Sequence, residues 1–401
     1  MWTRLRMLTA GESHGPQLTC ILDGVPAGLT LDFDRADQLL ARRQKGYGAG
    51  GRMKIERDRL KITAGYMNGQ TTGGPLSFEI RNRDWDNWRE RDVPPMTRPR
   101  PGHADLTGAI KYGYRDLRLS LERASARETA MRVAAGAVCL QLLEQLGVRV
   151  GGWVRSLGEV TIPCVDAGTA ELETLLSQMA HARLHDMASP VAGQDEALRA
   201  EVKRTIKARD TLGGVIEVVA VGLPPALGSH VQWDRKLEAR IGAAMLSIQA
   251  MKGVEIGDAF ANASRLGTQV HDAIARDEAG QITRQTNRAG GLEGGMTTGE
   301  PLWVRVAMKP ISTTLTPRET VDLATGEPAV TEYERSDICA TPRAVPICEA
   351  MLALALTDAL LEKLGGDSMD ELAERLTSLR RSHLEDLPMN NVPWRIGYQE
   401  R

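Results

Sequence analysis

Two histidines stand in loops where an imidazole could meet a ligand. In Gly11-Glu12-Ser13-His14-Gly15 the ring lies between glycines that let the backbone approach the same ligand. A histidine that merely caps a turn would share this local sequence. In Gly102-His103-Ala104-Asp105 a carboxylate follows the imidazole by two residues, close enough to favour its protonated form. Arg123-Ala124-Ser125-Ala126-Arg127-Glu128-Thr129 reads as a helix start. Ser125 is placed as N-cap and Glu128 as its capping-box partner, and the free N–H groups, the positive dipole end and two arginines would suit a phosphate. An exposed cap with ordinary surface arginines would look the same.

Further along, the glycines from Gly290 to Gly299, Gly294 among them, can bring main-chain amides close to a planar or phosphorylated ligand, although their spacing is neither a Walker A nor a dinucleotide fingerprint. Lys309-Pro310-Ile311-Ser312-Thr313 offers a cation and two hydroxyls, or simply a strand end. Arg335-Ser336-Asp337 puts an arginine and a carboxylate on a loop, where a surface ion pair of little energetic consequence is the plain alternative. His181 and His185 have a spacing compatible with metal, but no third ligand is apparent and no metal is expected.

Elements must position these groups. Strands are expected at the start of the Leu5–Gly28 segment and over 18–22, then at 60–64, 76–80, 215–221 and 302–308. Helices are expected at 34–43, 125–146, 170–182, 196–209, 233–249 and 345–364. Residues 81–101, with four prolines and Trp85 and Trp88, read as a long binding loop, lid or oligomer contact. The chain has 401 residues, 42% hydrophobic and 25% charged, which excludes disorder as its main state. A net charge of -2 gives no reason to expect nucleic acid or membrane as a partner. Arginines are nevertheless gathered at 42–59, 81–100 and 115–132, as around a small anionic ligand. Five cysteines without paired spacing read as reduced, mostly buried thiols. No run is read as membrane-spanning and Met1–Ala10 does not read as a signal peptide, so a cytoplasmic location is expected.

The segments GESHG at Gly11, RPGHAD at Arg100, RASARETAMRVAAGA at Arg123, NRAGGLEGGMTTGEP at Asn287, KPIST at Lys309 and RSDICATPRAVP at Arg335, in this order, resemble the chorismate synthase family. The resemblance implies a 1,4-anti elimination of phosphate from 5-enolpyruvylshikimate 3-phosphate to give chorismate, the last step of the shikimate pathway. Reduced FMN (FMNH2) is required without net redox change. By motif match, His14 is the acid toward the departing phosphate, His103 keeps the reduced flavin neutral and Asp337 assists proton transfer at the flavin.

Flavin contacts carry over to Arg123, Ala124, Ser125, Gln249, Ala250, Gly294, Lys309, Pro310, Ile311, Ser312, Thr313 and Arg335. Arg43 matches a position that binds the phosphorylated substrate or NADPH, and its usual companion arginine is here Ala49, with Lys45 or Arg52 as replacement. Ser13 and Arg127 complete the substrate-site candidates. No reductase module is recognisable, so the reductant is external and NADPH enters only as its indirect source. The fold implied is α+β, a β-α-β sandwich of antiparallel sheets enclosing helices, assembled as a homotetramer. Because the candidate residues must converge and no linker separates them, residues 1–380 read as one catalytic domain and 381–401 as a tail. An ordinary flavin or nicotinamide oxidoreductase is the main rival; a non-enzymatic anion-binding protein is a third.

Overall fold

Period-two alternation drives the first sheet. On the strand Gln17–Asp23, Leu18, Cys20 and Leu22 are fully buried while Ile21 on the opposite face is exposed, and Leu76, Phe78 and Ile80 repeat the pattern on Leu76–Arg81. The computed structural model, which describes residues 2–48, 57–334 and 336–397, places these strands at the centre of a four-stranded antiparallel sheet. Arg6–Ala10 and Lys61–Ala64 form its edges. A second antiparallel sheet has the order Met251–Ile256, Leu302–Met308, Gly214–Val221, Arg149–Leu157, Val160–Thr161. Its middle strands are buried on both faces. One face meets the main core, and the other carries Trp153 and Trp303 beneath Leu175, Met179 and Ala182 of the helix Leu172–Leu184.

Between the sheets lie two helices that are apolar on every side and therefore buried all round. Thr129–Gln145 packs on the first sheet and Thr341–Leu364 on the second. They approach closely at Gly136, where a Cβ would stand 2.3 Å from the Ala350 Cβ, so a glycine is required for contact of the two backbones. The result is the expected α+β sandwich of antiparallel sheets enclosing helices.

Several sequence expectations need correction. Thr341–Leu364 begins four residues earlier than the predicted start at 345, with Pro342 and Pro346 accommodated in its first two turns. This 24-residue helix is also long and apolar enough to cross a membrane, contrary to the sequence reading, yet its whole apolar window is buried in the core. The predicted helix 233–249 divides into the turn Trp233–Arg235 and the helix Leu237–Leu246. Helices Asp105–Tyr112, Arg118–Ala124 and Met369–Thr377 and the strands Arg149–Leu157 and Met251–Ile256 were not anticipated. The start of the tail is docked rather than free, since Ser382 O accepts from Ile282 N at 2.6 Å and His383 bonds Ala279 O at 2.9 Å. Beyond it, Met389, Val392, Trp394 and Ile396 are exposed. All five cysteines are free thiols, four of them buried and Cys164 half-buried.

Candidate active site

The Gly11–Gly15 loop joins the two strands Arg6–Ala10 and Gln17–Asp23 and is held against the C-terminal part of the helix Arg118–Ala124. His14 Nδ1 lies 2.7 Å from Glu122 Oε1, and Glu122 Oε2 accepts the His14 backbone N–H at 2.7 Å. A carboxylate can only accept, so Nδ1 carries a proton, and Nε2 has no hydrogen bond among the described residues. The Trp88 ring covers the imidazole with centroids 4.3 Å apart, which gives the 81–101 loop a contact with the candidate acid. Ser13 is buried and bonds Ser125 Oγ at 3.1 Å, while its backbone N–H donates to Glu122 O. Arg123 is exposed and clamps Thr9 O at 2.8 Å and Gly11 O at 3.3 Å, and Ala124 ends its helix beside it.

The helix start expected at Ser125 is only partly formed. Ser125 Oγ does accept from Arg127 N at 3.3 Å, but the preceding helix runs into this turn and takes Ser125 N–H on Leu121 O at 3.0 Å. Glu128 therefore has no cap to close. Its carboxylate turns instead to Thr9 Oγ1 at 2.7 Å, Arg132 Nε at 2.9 Å and Gln249 Nε2 at 3.3 Å.

Arg127 and Arg43 support the loop from behind. Arg127 donates to Asp58 at 2.6 Å and, through two nitrogens, to Asn82 Oδ1 at 2.8 and 2.9 Å. Asn82 Nδ2 in turn holds Gly15 O at 2.7 Å. Arg43 bonds Thr129 Oγ1 and Ala126 O, both at 3.0 Å, and its Nη1 is buried without a hydrogen bond among the described residues. Burial pushes the Arg43 guanidinium down, opposed by Asp58. Both arginines are thus more enclosed than substrate contacts read from sequence would suggest. Arg343 connects this group to Asp337, donating Nε to Arg43 O at 2.8 Å and pairing Nη1 with the Asp337 carboxylate. Ala49, Arg52 and Arg335 lie outside the described residues.

His103 belongs to a second group. Its Nδ1 meets Asp105 Oδ1 at 2.5 Å, and buried Arg100 grips the same carboxylate through Nε at 2.8 Å and Nη2 at 3.0 Å. Arg100 Nη1 also donates to Thr313 Oγ1 at 3.0 Å, and Ser312 Oγ to Gly102 O at 3.3 Å, so the His103 turn is seated on the Lys309–Thr313 segment. Burial lowers the Lys309 amine, helped by Lys252. Lys309 N–H donates to Ala250 O at 3.0 Å, and Ala250 holds φ +67°, a left-handed conformation costly for a residue with a Cβ. Pro310 is exposed and Ile311 O accepts from Thr211 Oγ1 at 2.7 Å. Leu212 N then donates to Ile338 O, which brings this strand end beside Asp337.

The groups therefore form a circuit from His14 through Glu122, Ser120 and Ala104 to His103, on through Thr313, Ile311, Thr211 and Ile338 to Asp337, and back through Arg343, Arg43, Arg127 and Asn82. Gly294 is not part of it. It is the exposed tip of a hairpin at the N-terminal end of Leu237–Leu246, whereas Gln249 follows the C-terminal end. Ten helical residues separate the two by about 15 Å. Two depressions lie elsewhere, a cleft of about 510 Å³ beside Arg57 and Arg81 and a groove of about 730 Å³ between Phe33–Gln44 and Leu172–Leu184; among the described residues neither is lined by His14, His103 or Asp337. No cluster of three or more metal-ligating side chains occurs among the described residues.

Three carboxyls in or beside the circuit, Asp105, Glu122 and Glu128, are held below the usual range. In each, burial alone would raise the pKa and is outweighed, by His103 and Arg100 at Asp105, by His14 at Glu122 and by Arg132 at Glu128. Because the folded values are depressed, their stabilisation is complete above the unfolded carboxylate range of about pH 4 and is lost as pH falls through the folded values. Urea midpoints measured from about pH 6 down to about pH 3 should therefore fall. In Asp105→Asn the fall should be shallower; a curve parallel to wild type would contradict the assignment.

A sandwich of antiparallel sheets around two buried helices carries two carboxylate-backed histidines among arginines, a set of groups suited to proton transfer beside an anionic ligand. A family model described as chorismate synthase matches residues 5–361. The chain is 53% identical over 386 residues to a chorismate synthase of Trichlorobacter lovleyi, covering 92% of this chain and 96% of that protein. It is 50% identical over 382 residues to one of Aquifex aeolicus, with the same coverage. A solved structure described as a crystal structure of chorismate synthase superposes with a TM-score of 0.79 at 43% identity, over 94% of this chain and 97% of the other. The chain belongs to the chorismate synthase family, and so to the carbon–oxygen lyases that act on phosphate.

Proposed function

We propose that this protein converts 5-enolpyruvylshikimate 3-phosphate to chorismate by 1,4-anti elimination of phosphate, with bound reduced FMN. The observation that carries the reading is the pair of histidines, each with Nδ1 fixed by a buried or half-buried carboxylate; His14 Nε2 has no hydrogen bond among the described residues, and His103 Nε2 has a single long contact, 3.4 Å from Arg100 Nη2. His14 would hold its proton at Nε2 toward the leaving phosphate oxygen. His103, anchored by Asp105 and Arg100, would hold a proton at the cofactor, and Asp337, pinned by Arg343, would assist proton transfer there.

The residues present suit FMN. Gln249 Oε1 is buried and unbonded among the described residues, Ala250 is strained beside it, and the Lys309 amine, Ser312, Thr313, Ser125 and Arg123 add donors of the kind a flavin and its phosphate accept. The chemistry reduced FMN supplies when bound is transient electron donation that is afterwards recovered, so the reaction has no net redox change. Trp88 over His14 supports a covering role for the 81–101 loop. We further infer one catalytic domain over 1–380, a cytoplasmic location, an external reductant and a homotetramer, in which the Gly294 hairpin would contact flavin only across a subunit boundary.

An anaerobic assay with 5-enolpyruvylshikimate 3-phosphate and chemically reduced FMN tests the reading. Chorismate and released phosphate should appear in equal amounts with the flavin still reduced. Stoichiometric flavin oxidation would instead favour an oxidoreductase, and no product would overturn the proposal.

A further inference from the structure

The cleft of about 510 Å³ is lined, among the described residues, by Arg57, Arg59, Arg81, Arg83 and Asp86. Its construction follows from the buried network. Asp58 and Asn82 point inward and bind the same Arg127 guanidinium, at 2.6 Å and at 2.8 and 2.9 Å. In extended chain, neighbours of an inward residue point outward. Arg57 and Arg59 flank Asp58, and Arg81 and Arg83 flank Asn82, so one buried guanidinium holds two arginine pairs face to face. Arg81 pairs with Asp86 at 3.4 Å. Arg57 and Arg59 have no carboxylate partner among the described residues. Among the described residues, a protein of net charge -2 lines this cleft with four arginines and one carboxylate, and Arg57 and Arg59 are the two without a carboxylate partner there.

We propose that this cleft is a binding site for the dianionic phosphate group of a small molecule, separate from the His14 site and coupled to it. Planar guanidinium forks converging from two directions match phosphate oxygens. The cleft is larger than free phosphate needs and fits a phosphate monoester. Coupling runs through the turn Arg83–Asn87: Arg83 and Asp86 face the cleft, and Trp88 at the end of the same turn covers His14. An anion that draws Arg81 and Arg83 together therefore fixes the cover of the candidate acid. Only the identity of the natural phosphorylated compound rests on the function proposed above, because binding requires no turnover.

The test titrates the full-length protein with inorganic phosphate and, separately, with glycerol 3-phosphate at constant ionic strength, following tryptophan fluorescence. Saturable changes are expected with both, and tighter binding of the monoester would identify substrate capture while tighter binding of free phosphate would identify product release. The double variant Arg57→Gln/Arg59→Gln should weaken binding at least about tenfold, equivalent to about 1.4 kcal/mol. His14→Ala should retain the affinity, which separates this cleft from the His14 site. Wild-type affinity in a folded Arg57→Gln/Arg59→Gln protein, confirmed by its circular dichroism and unfolding midpoint, would overturn the proposal. So would a response no larger than that to chloride. Failure of chorismate formation would leave these binding results unaffected.

Discussion

Asp358→Ala is expected to lower the unfolding free energy by about 3–5 kcal/mol, a large fraction of the roughly 5–15 kcal/mol by which folded proteins are stable. Asp358 is fully buried in Thr341–Leu364 and accepts the backbone N–H groups of Thr3, Arg4 and Leu5 at 2.9, 2.8 and 2.9 Å. It also meets Arg240 Nη1 at 3.0 Å, and both side chains are excluded from water. Alanine would strand three main-chain donors and leave Arg240 to Glu362, 2.5 Å from its other nitrogen. Asp358→Asn retains an acceptor and should fall between the two. Urea denaturation followed by circular dichroism measures the loss; a wild-type midpoint for Asp358→Ala would refute this account of how the N-terminus is anchored.

For activity, His14→Ala should reduce turnover by about 10²–10⁴-fold, the range for a positioned proton donor. Reduced FMN should still bind, because the groups assigned to the flavin lie on other elements. Asp337→Ala should show the same separation of turnover from flavin affinity. Glu122→Gln keeps the imidazole but removes the anion that orients it, and should give an intermediate loss in kcat with little change in KM. Flavin binding is read by difference absorbance under anaerobic conditions, and wild-type turnover in His14→Ala would remove its role.

Much of the site was legible because its residues sit in short contiguous motifs. The fold brings His14, His103 with Asp105, Ser125 and the 309–313 segment onto or beside one circuit, and the roles given to them are those proposed above. What escaped was whatever is assembled across the chain. The arginines around Asp58 and Asn82 point to an anion, but nothing in the sequence pairs these two residues, which meet only when two strand ends deliver them to Arg127. Glu122 lies one residue before Arg123, yet its importance depends on a loop more than one hundred residues away. The reading of Ser125 and Glu128 as a capping box failed because the preceding helix had already consumed the Ser125 N–H. Strands with alternating apolar residues were recovered nearly to their ends. Arg149–Leu157 was missed because Gly151, Gly152, Arg155 and Ser156 interrupt the apolar run that marked Gly214–Val221, its equally buried neighbour.

The placement of Thr341–Leu364 bears on how the chain is made. This helix fills the middle of the sandwich and fixes Thr3 at a separation of 355 residues, yet it is synthesised after every strand of the two sheets it joins. Until it emerges, the inner faces of the sheets and of Thr129–Gln145 have nothing to close upon. The nascent polypeptide must therefore carry an open apolar cavity until residue 364 has emerged, a condition that favours slow completion and recruitment of chaperones.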